Sequence, residues 1–209
     1  MLLSLKLDGL RKIATDKADV VILGLFADIH TVGLYKMAKQ LASYLSRLSN
    51  PIYTALYPEI AHLYHEAGFD RLPRFISQLT RWLVAGVGTL ALLMTLLARP
   101  LVPIVFGAEY TPALYLFYVM MLMHVWLGLI WAPGLLLTLG KARQLTTINL
   151  SSAMILLTLL FVLAPTWGAI GSAIALVANY WAWTALTLWY LGRLPDLGLW
   201  PRRAQSALK

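Results

Sequence analysis

The chain has 209 residues, of which 60% are hydrophobic and only 12% are charged, and its formal net charge is +8. Its mean hydropathy of +0.72 excludes an ordinary soluble domain, which would place more charge on its surface. The basic residues lie mostly in short loops rather than in one aromatic-rich patch, which argues against nucleic-acid binding, and the absence of cysteine excludes disulfides. We therefore predict an all-α, polytopic membrane protein.

Six membrane-spanning helices are predicted along the chain. No charged residue occurs between Glu109 and Lys141, or between Arg143 and Arg193. Because a span needs about 20 apolar residues, the first of these runs holds one span and the second holds two. The six-span transmembrane lobe is predicted at 1–192, with spans near 2–27, 31–64, 75–98, 111–139, 145–164 and 168–191, and a basic cytoplasmic tail at 193–209.

The basic residues also predict the orientation of the spans. With the N-terminus in the cytoplasm, basic residues at Arg71, Arg74, Lys141 and Arg143 and those of the tail all fall in cytoplasmic segments. The outer loops then hold almost no basic residue except Arg99. This distribution predicts an even number of spans with both termini in the cytoplasm.

The second predicted span carries most of its charges on one helical face. On a wheel of 100° per residue, one group of polar side chains lies within roughly 60° of Lys36. The group consists of Lys36, Lys39, Gln40, Ser43, Arg47 and Asn50. A charged residue at the middle of a lipid-facing helix would cost about 2.5–3.5 kcal/mol. The face is therefore predicted to line a polar, hydrated cavity, although its cations could instead pair with acidic residues or reach a membrane surface.

The first predicted span groups three acidic residues on its polar face. Asp8 and Asp16 each lie four residues from Lys12, so they can pair along the helix itself or take part in ion coupling. Asp19 has no Lys or Arg four residues away, which makes it the better candidate for ion or proton coupling.

The histidines give weaker signals. Glu59, His62, His65 and Glu66 have a spacing that could present metal ligands, but a solvated helix end is the favoured interpretation. His124 lies in a long apolar span, where a structural hydrogen bond is favoured over a chemical role. No metal and no cofactor are predicted.

Three stretches of the chain resemble the polysaccharide-exporter family of Wzx-like O-antigen flippases, within the multidrug/oligosaccharidyl-lipid/polysaccharide exporter superfamily. The stretches are DVVILGLFADIHTVGLYKMA from Asp19, PIVFGAEYTPA from Pro103 and WGAIGSAIALVAN from Trp167. Their order and spacing are similar to the C-terminal half of such a transporter. The resemblance implies a six-helix bundle that forms one lobe of a two-lobe transporter, with a second six-helix lobe or subunit as its partner.

The resemblance also implies a substrate and roles for the polar face. Family members move undecaprenyl-diphosphate-linked oligosaccharides across the bacterial inner membrane, and no bond chemistry is involved. Lys36, Lys39 and Arg47 would attract the diphosphate, since a dense anion needs cations in a partly desolvated cavity. Tyr35, Gln40, Ser43 and Asn50 would contact the sugars.

Two other functions remain open from the sequence. A multidrug or cation antiporter of the same superfamily would depend on acidic cavity residues such as Asp8, Asp16, Asp19 and Glu59. A non-transporting membrane assembly protein is the alternative from a different class.

Overall fold

The structure is a computed structural model, and it describes residues 17–67 and 72–194. The described residues are helical, with no β-strand among them. Helix α1 occupies 17–26, and the other elements follow in chain order. They are α2 (Ile29–Ala67), α3 (Leu72–Phe106), a 3₁₀ turn (Ala108–Tyr110), α4 (Ala113–Met121), a 3₁₀ segment (Leu122–Leu129), α5 (Ala132–Thr138) and α6 (Ala142–Gly192).

Asp28 marks the start of α2. Its carboxylate accepts a hydrogen bond from the backbone N–H of Thr31 at 2.9 Å and another from the Thr31 hydroxyl at 2.6 Å. The hydroxyl bond, followed by the backbone bond, holds the pKa of Asp28 below its ordinary value. This N-cap satisfies an N–H that has no partner within the helix. The chain therefore turns between α1 and α2 at Asp28, and α2 then continues through Pro51 and Pro58.

Helix α3 continues past Ala98 to Phe106, through Pro100 and Pro103. The 3₁₀ segment Leu122–Leu129 approaches α3 closely at Gly128. A Cβ added to Gly128 would collide with the side chain of Val84 on α3. Only a residue without a side chain fits this approach.

Helix α6 consists of two helical arms separated at Gly168. Gly168 has φ 56° and ψ −132°, a conformation that breaks the helix and favours glycine. A Cβ at Gly171 would collide with the carbonyl oxygen of Leu163, so the two arms approach each other closely just after the break. The break lies where the sequence separates the predicted spans 145–164 and 168–191.

The chain divides into two compact units, each with its own buried side chains. The described residues of the first unit are 17–42, 97–123 and 151–180, and its fully buried side chains include Leu23, Tyr35, Phe117, Met120 and Leu160. The described residues of the second unit are 43–67, 72–96, 124–150 and 181–194. The core of the second unit is built from Ile60, Leu72, Ile76, Leu83, Trp131, Ala132, Leu135, Leu136, Ile148 and Leu191.

Three helical segments in the described part of the chain are long and apolar enough to cross a membrane. They are Leu72–Phe106, Ala113–Thr138 and Ala142–Gly192. The last has 51 residues, which at 1.5 Å per residue is more than twice the roughly 30 Å of a bilayer core, and it is broken at Gly168. The protein is therefore an all-helical, multi-pass membrane protein.

Candidate functional site

A buried carboxylate on α1 is held by two side chains of α2. Tyr35 Oη donates a hydrogen bond to Asp19 Oδ2 at 2.6 Å, and Lys39 Nζ donates to Asp19 Oδ1 at 2.7 Å. Tyr35 and Lys39 are four residues apart, so they project from one face of α2. We call these three residues the Asp19 cluster, and all of it lies within the first unit.

The two charges of the Asp19 cluster differ in their access to solvent. The Asp19 side chain is 1% exposed, whereas that of Lys39 is 24% exposed. An isolated carboxylate buried to this degree would be very unfavourable, so it needs the charge of Lys39 and the hydrogen bond of Tyr35. Lys39, by contrast, keeps about a quarter of its side chain exposed while it contacts Asp19. The cluster therefore has a buried anchor and an accessible cation.

The helical hairpin explains why these residues meet. Asp19 precedes the cap residue Asp28 by nine positions, while Tyr35 and Lys39 follow it by seven and eleven positions, as the sequence shows. In two antiparallel helices joined by a tight turn, residues at similar distances from the turn are neighbours. The sequence alone predicts ion coupling for Asp19, diphosphate binding for Lys39 and sugar contact for Tyr35. It leaves open whether Lys39 pairs with an acidic residue, and it does not predict that these three side chains lie together. The position of Asp28 is the signal that could have revealed it.

The other two predicted cations lie on exposed parts of α2. Lys36, in the first unit, is exposed and makes no hydrogen bond or ion pair with the described residues. Arg47, in the second unit, is also exposed, and its guanidinium lies 5.6 Å from the ring centroid of Tyr44. Among the described residues, Lys39 pairs with an acidic residue of a neighbouring helix, which is the alternative left open from the sequence, whereas Lys36 and Arg47 do not.

The remaining predicted residues have more varied positions. Gln40 and Asn50 are exposed and Ser43 is partly buried, whereas Tyr35 is fully buried. Asp8 and Asp16 lie outside the described residues.

The histidines occupy two different environments. His124 is buried in the second unit, with Nε2 at 3.0 Å from Ser46 Oγ, which agrees with the predicted structural hydrogen bond. His62 Nδ1 lies 3.5 Å from Glu66 on an exposed stretch of α2, where both side chains are 65% exposed. This exposure agrees with the solvated helix end favoured from the sequence.

Helices apolar and long enough to cross a membrane, together with a buried ion pair between α1 and α2, define the class of a polytopic membrane protein. Residues 3–115 match the family described as "Polysaccharide biosynthesis protein". The chain belongs to the polysaccharide biosynthesis protein family, and the resemblance found in the sequence is confirmed at the level of the family.

One curated relative gives a second comparison. The chain is 27% identical over 177 residues to a protein of Escherichia coli (strain K12) named "Putative O-antigen transporter". The match covers 82% of this chain and 42% of that relative, so the chain spans about two fifths of the relative's length. No solved structure matches the chain.

Proposed function

We propose that this chain forms one wall of a transporter that moves an undecaprenyl-diphosphate-linked oligosaccharide across the bacterial inner membrane during polysaccharide or lipopolysaccharide biosynthesis. The family, the O-antigen transporter named among its relatives and the membrane-spanning helices support transport. The observation that carries the proposal is the Asp19 cluster, in which a buried carboxylate holds an accessible lysine beside exposed Lys36.

The cations are proposed to receive the diphosphate of the lipid carrier. Lysine ammonium groups bind phosphate oxygens as compact point charges, and Lys36 and Lys39 are three residues apart on α2. Arg47, on the later part of the same helix, would offer a further cation, while Gln40, Ser43 and Asn50 would contact the sugars. Because Tyr35 is buried against Asp19, its proposed role is to position that carboxylate.

Asp19 is the proposed ion-coupling residue. A diphosphate that draws Lys39 away would change the charge balance around the buried carboxylate of Asp19, so substrate binding and ion binding would be linked at this cluster.

The proposed architecture retains the topology predicted from the sequence. Six spans would form one lobe in the inner membrane with both termini in the cytoplasm, corresponding to the C-terminal half of a two-lobe transporter. A second six-helix lobe or subunit would supply the opposite wall of the cavity. The two lobes would rock against each other to open the cavity alternately to either side.

A glycan-export assay tests the role of the two lysines. Lys36→Glu combined with Lys39→Glu should abolish complementation in a host that lacks its own flippase. Because Lys39→Glu also removes the lysine that pairs with buried Asp19 and should destabilise the protein, Lys36→Glu alone, at an exposed position, is the variant that should reduce export at an unchanged protein level. Arg99→Glu combined with Arg143→Glu is the matched control, since it makes the same charge change at exposed positions and should leave export intact. Undiminished export by the lysine variant would remove both residues from the mechanism, and proton-coupled efflux of a cationic dye would favour the antiporter instead.

Cysteine labelling tests the hydrated face directly. The chain has no native cysteine, so single-cysteine variants give a clean background. Lys36→Cys should react with a membrane-impermeant maleimide in intact vesicles. Leu96→Cys, at a position that is 64% exposed on a membrane-spanning helix, should not react because acyl chains cover it. Equal protection of both positions would contradict a hydrated cavity at α2.

A further inference from the structure

The first turns of α3 carry a polar groove that the proposed transport function does not use. The groove has a volume of about 420 Å³ and is lined by Pro73, Arg74, Ser77, Gln78 and Arg81. This volume falls in the roughly 300–1,000 Å³ range of small-molecule sites. We call it the α3 groove, and it lies entirely within the second unit.

The α3 groove presents two arginines on one helical face. Arg74 and Arg81 are seven residues apart, which places them about 20° from each other around the helix and roughly 10 Å apart along it. Both are exposed, and neither makes a hydrogen bond or ion pair with the residues that the structure describes. Ser77 and Gln78 lie between them with exposed hydroxyl and amide groups.

These four groups match the chemistry of a phosphate. The guanidinium fork donates two parallel hydrogen bonds to phosphate oxygens, and two guanidinium groups can hold one phosphate from opposite sides. Hydroxyl and amide N–H groups add neutral donors. Among the residues that the structure describes, the lining of the groove contains no acidic side chain.

The surroundings of the groove favour a phosphate that belongs to a lipid. Trp82 follows Arg81 directly and is 76% exposed, and exposed apolar side chains such as Val84, Leu92 and Leu96 come after it on this membrane-spanning helix. Exposed tryptophan next to basic residues is typical of the level of the lipid headgroups. Arg74 and Arg81 therefore lie where a headgroup phosphate is found, and the helix beyond Trp82 lies where its acyl chains are found.

We infer that the α3 groove binds the headgroup phosphate of an anionic membrane lipid, with Arg74 and Arg81 as its ligands. This site is separate from the residues proposed to receive the transported substrate. The inference therefore stands or falls independently of the transport assay.

Lipid titration of the full-length chain in detergent tests the inference. The probes are dioctanoyl-phosphatidylglycerol, dioctanoyl-phosphatidylcholine and inorganic phosphate, with dissociation constants from microscale thermophoresis. Phosphatidylglycerol should bind tightest. Since one basic residue near an anionic membrane changes binding about fivefold, Arg74→Gln combined with Arg81→Gln should weaken phosphatidylglycerol binding about 25-fold.

Matched variants separate a specific groove from general charge. Arg99→Gln combined with Arg143→Gln removes the same charge from two other exposed positions and should change the affinity less than twofold. Arg74→Lys combined with Arg81→Lys keeps the positive charges but removes the guanidinium groups that donate paired hydrogen bonds. This variant should lose an intermediate amount of affinity for phosphatidylglycerol. An unchanged melting temperature would show that each variant is folded, as expected for exposed side chains.

Three results would overturn the inference. An equal loss of affinity in the control pair would show that binding depends on charge alone. Equal binding of phosphatidylcholine would show that the anionic headgroup is not recognised. Displacement of phosphatidylglycerol by an equal concentration of inorganic phosphate would show that the groove takes free phosphate rather than a lipid.

Discussion

The two units of this protein solve the problem of buried polar groups in different ways. The first unit buries a charge and neutralises it, with Asp19 held by Lys39 at 2.7 Å and by Tyr35 at 2.6 Å. The second unit relies on neutral hydrogen bonds, in which Trp131 Nε1 donates to Thr80 at 2.9 Å and Trp183 Nε1 donates to Asn149 at 2.8 Å. The first unit also contains one such neutral contact, from Ser152 Oγ to Asn179 Oδ1 at 2.7 Å.

The difference has an energetic meaning. Removing one partner of a neutral hydrogen bond between helices costs the protein little stability, because the group that remains is only a dipole. Removing one partner of a buried ion pair costs much more stability, because a full charge then remains in a medium that solvates it poorly. A buried ion pair is weak evidence for stability and better evidence for function, since an apolar pair would pack the same helices without the cost of removing two charges from water. This comparison is the reason that we propose the Asp19 cluster as the functional part of the fold.

The largest expected effect comes from breaking the ion pair on one side. Lys39→Met should destabilise the protein by about 3–5 kcal/mol, because it strands the carboxylate of Asp19 at 1% exposure. Thermal unfolding in detergent measures the change. Lys36→Met is the matched control on the exposed part of the same helix and should stay within about 0.5 kcal/mol of the wild type. Removing both charges with Asp19→Asn and Lys39→Gln should restore most of the stability, and a double variant as unstable as Lys39→Met would contradict the argument.

A smaller effect is expected at the buried tryptophan of the second unit. Trp131 is 4% exposed, so Trp131→Phe loses the hydrogen bond to Thr80 and leaves unfilled space, at an expected cost of about 1–2 kcal/mol. Trp82→Phe, at a position that is 76% exposed, should leave the melting temperature unchanged. Equal losses in the two variants would show that the hydrogen bond to Thr80 is not the cause.

The smallest effect is expected between the arms of α6. Ser152→Ala removes the donor to Asn179 and should cost about 0.6 kcal/mol, the average for hydrogen bonds between membrane helices. The neighbouring Ser151 is exposed, so Ser151→Ala should have no effect. A double-mutant cycle with Asn179→Ala gives the coupling energy, and a loss above about 3 kcal/mol would remove the contrast with the ion pair.

Several features of the fold could be predicted from short stretches of sequence. The break between the arms of α6 follows from Pro165 and Gly168, because glycine adopts the required positive φ without strain. The start of α2 follows from Asp28, whose side chain caps the helix three residues before Thr31. The membrane-spanning character of α3 and α6 follows from composition alone, since long apolar runs have no alternative place in water.

The partners of the polar groups could not be predicted in the same way. Asp19 and Lys39 are separated by 20 positions, Ser152 and Asn179 by 27, and Trp131 and Thr80 by 51. A helical wheel shows which side chains share a face, but it contains no information about the helix that covers that face. For this reason the sequence predicts three separate roles for Asp19, Tyr35 and Lys39.

The order of residues alone determined that this protein is helical, crosses a membrane and carries a cationic face on α2, because each of these properties depends on neighbours within a few turns. Its similarity to the polysaccharide biosynthesis family is also a property of that order. The tertiary structure decided that Lys39 is paired and Lys36 is open, since a hydrogen bond of 2.7 Å requires two helices to be packed in one register.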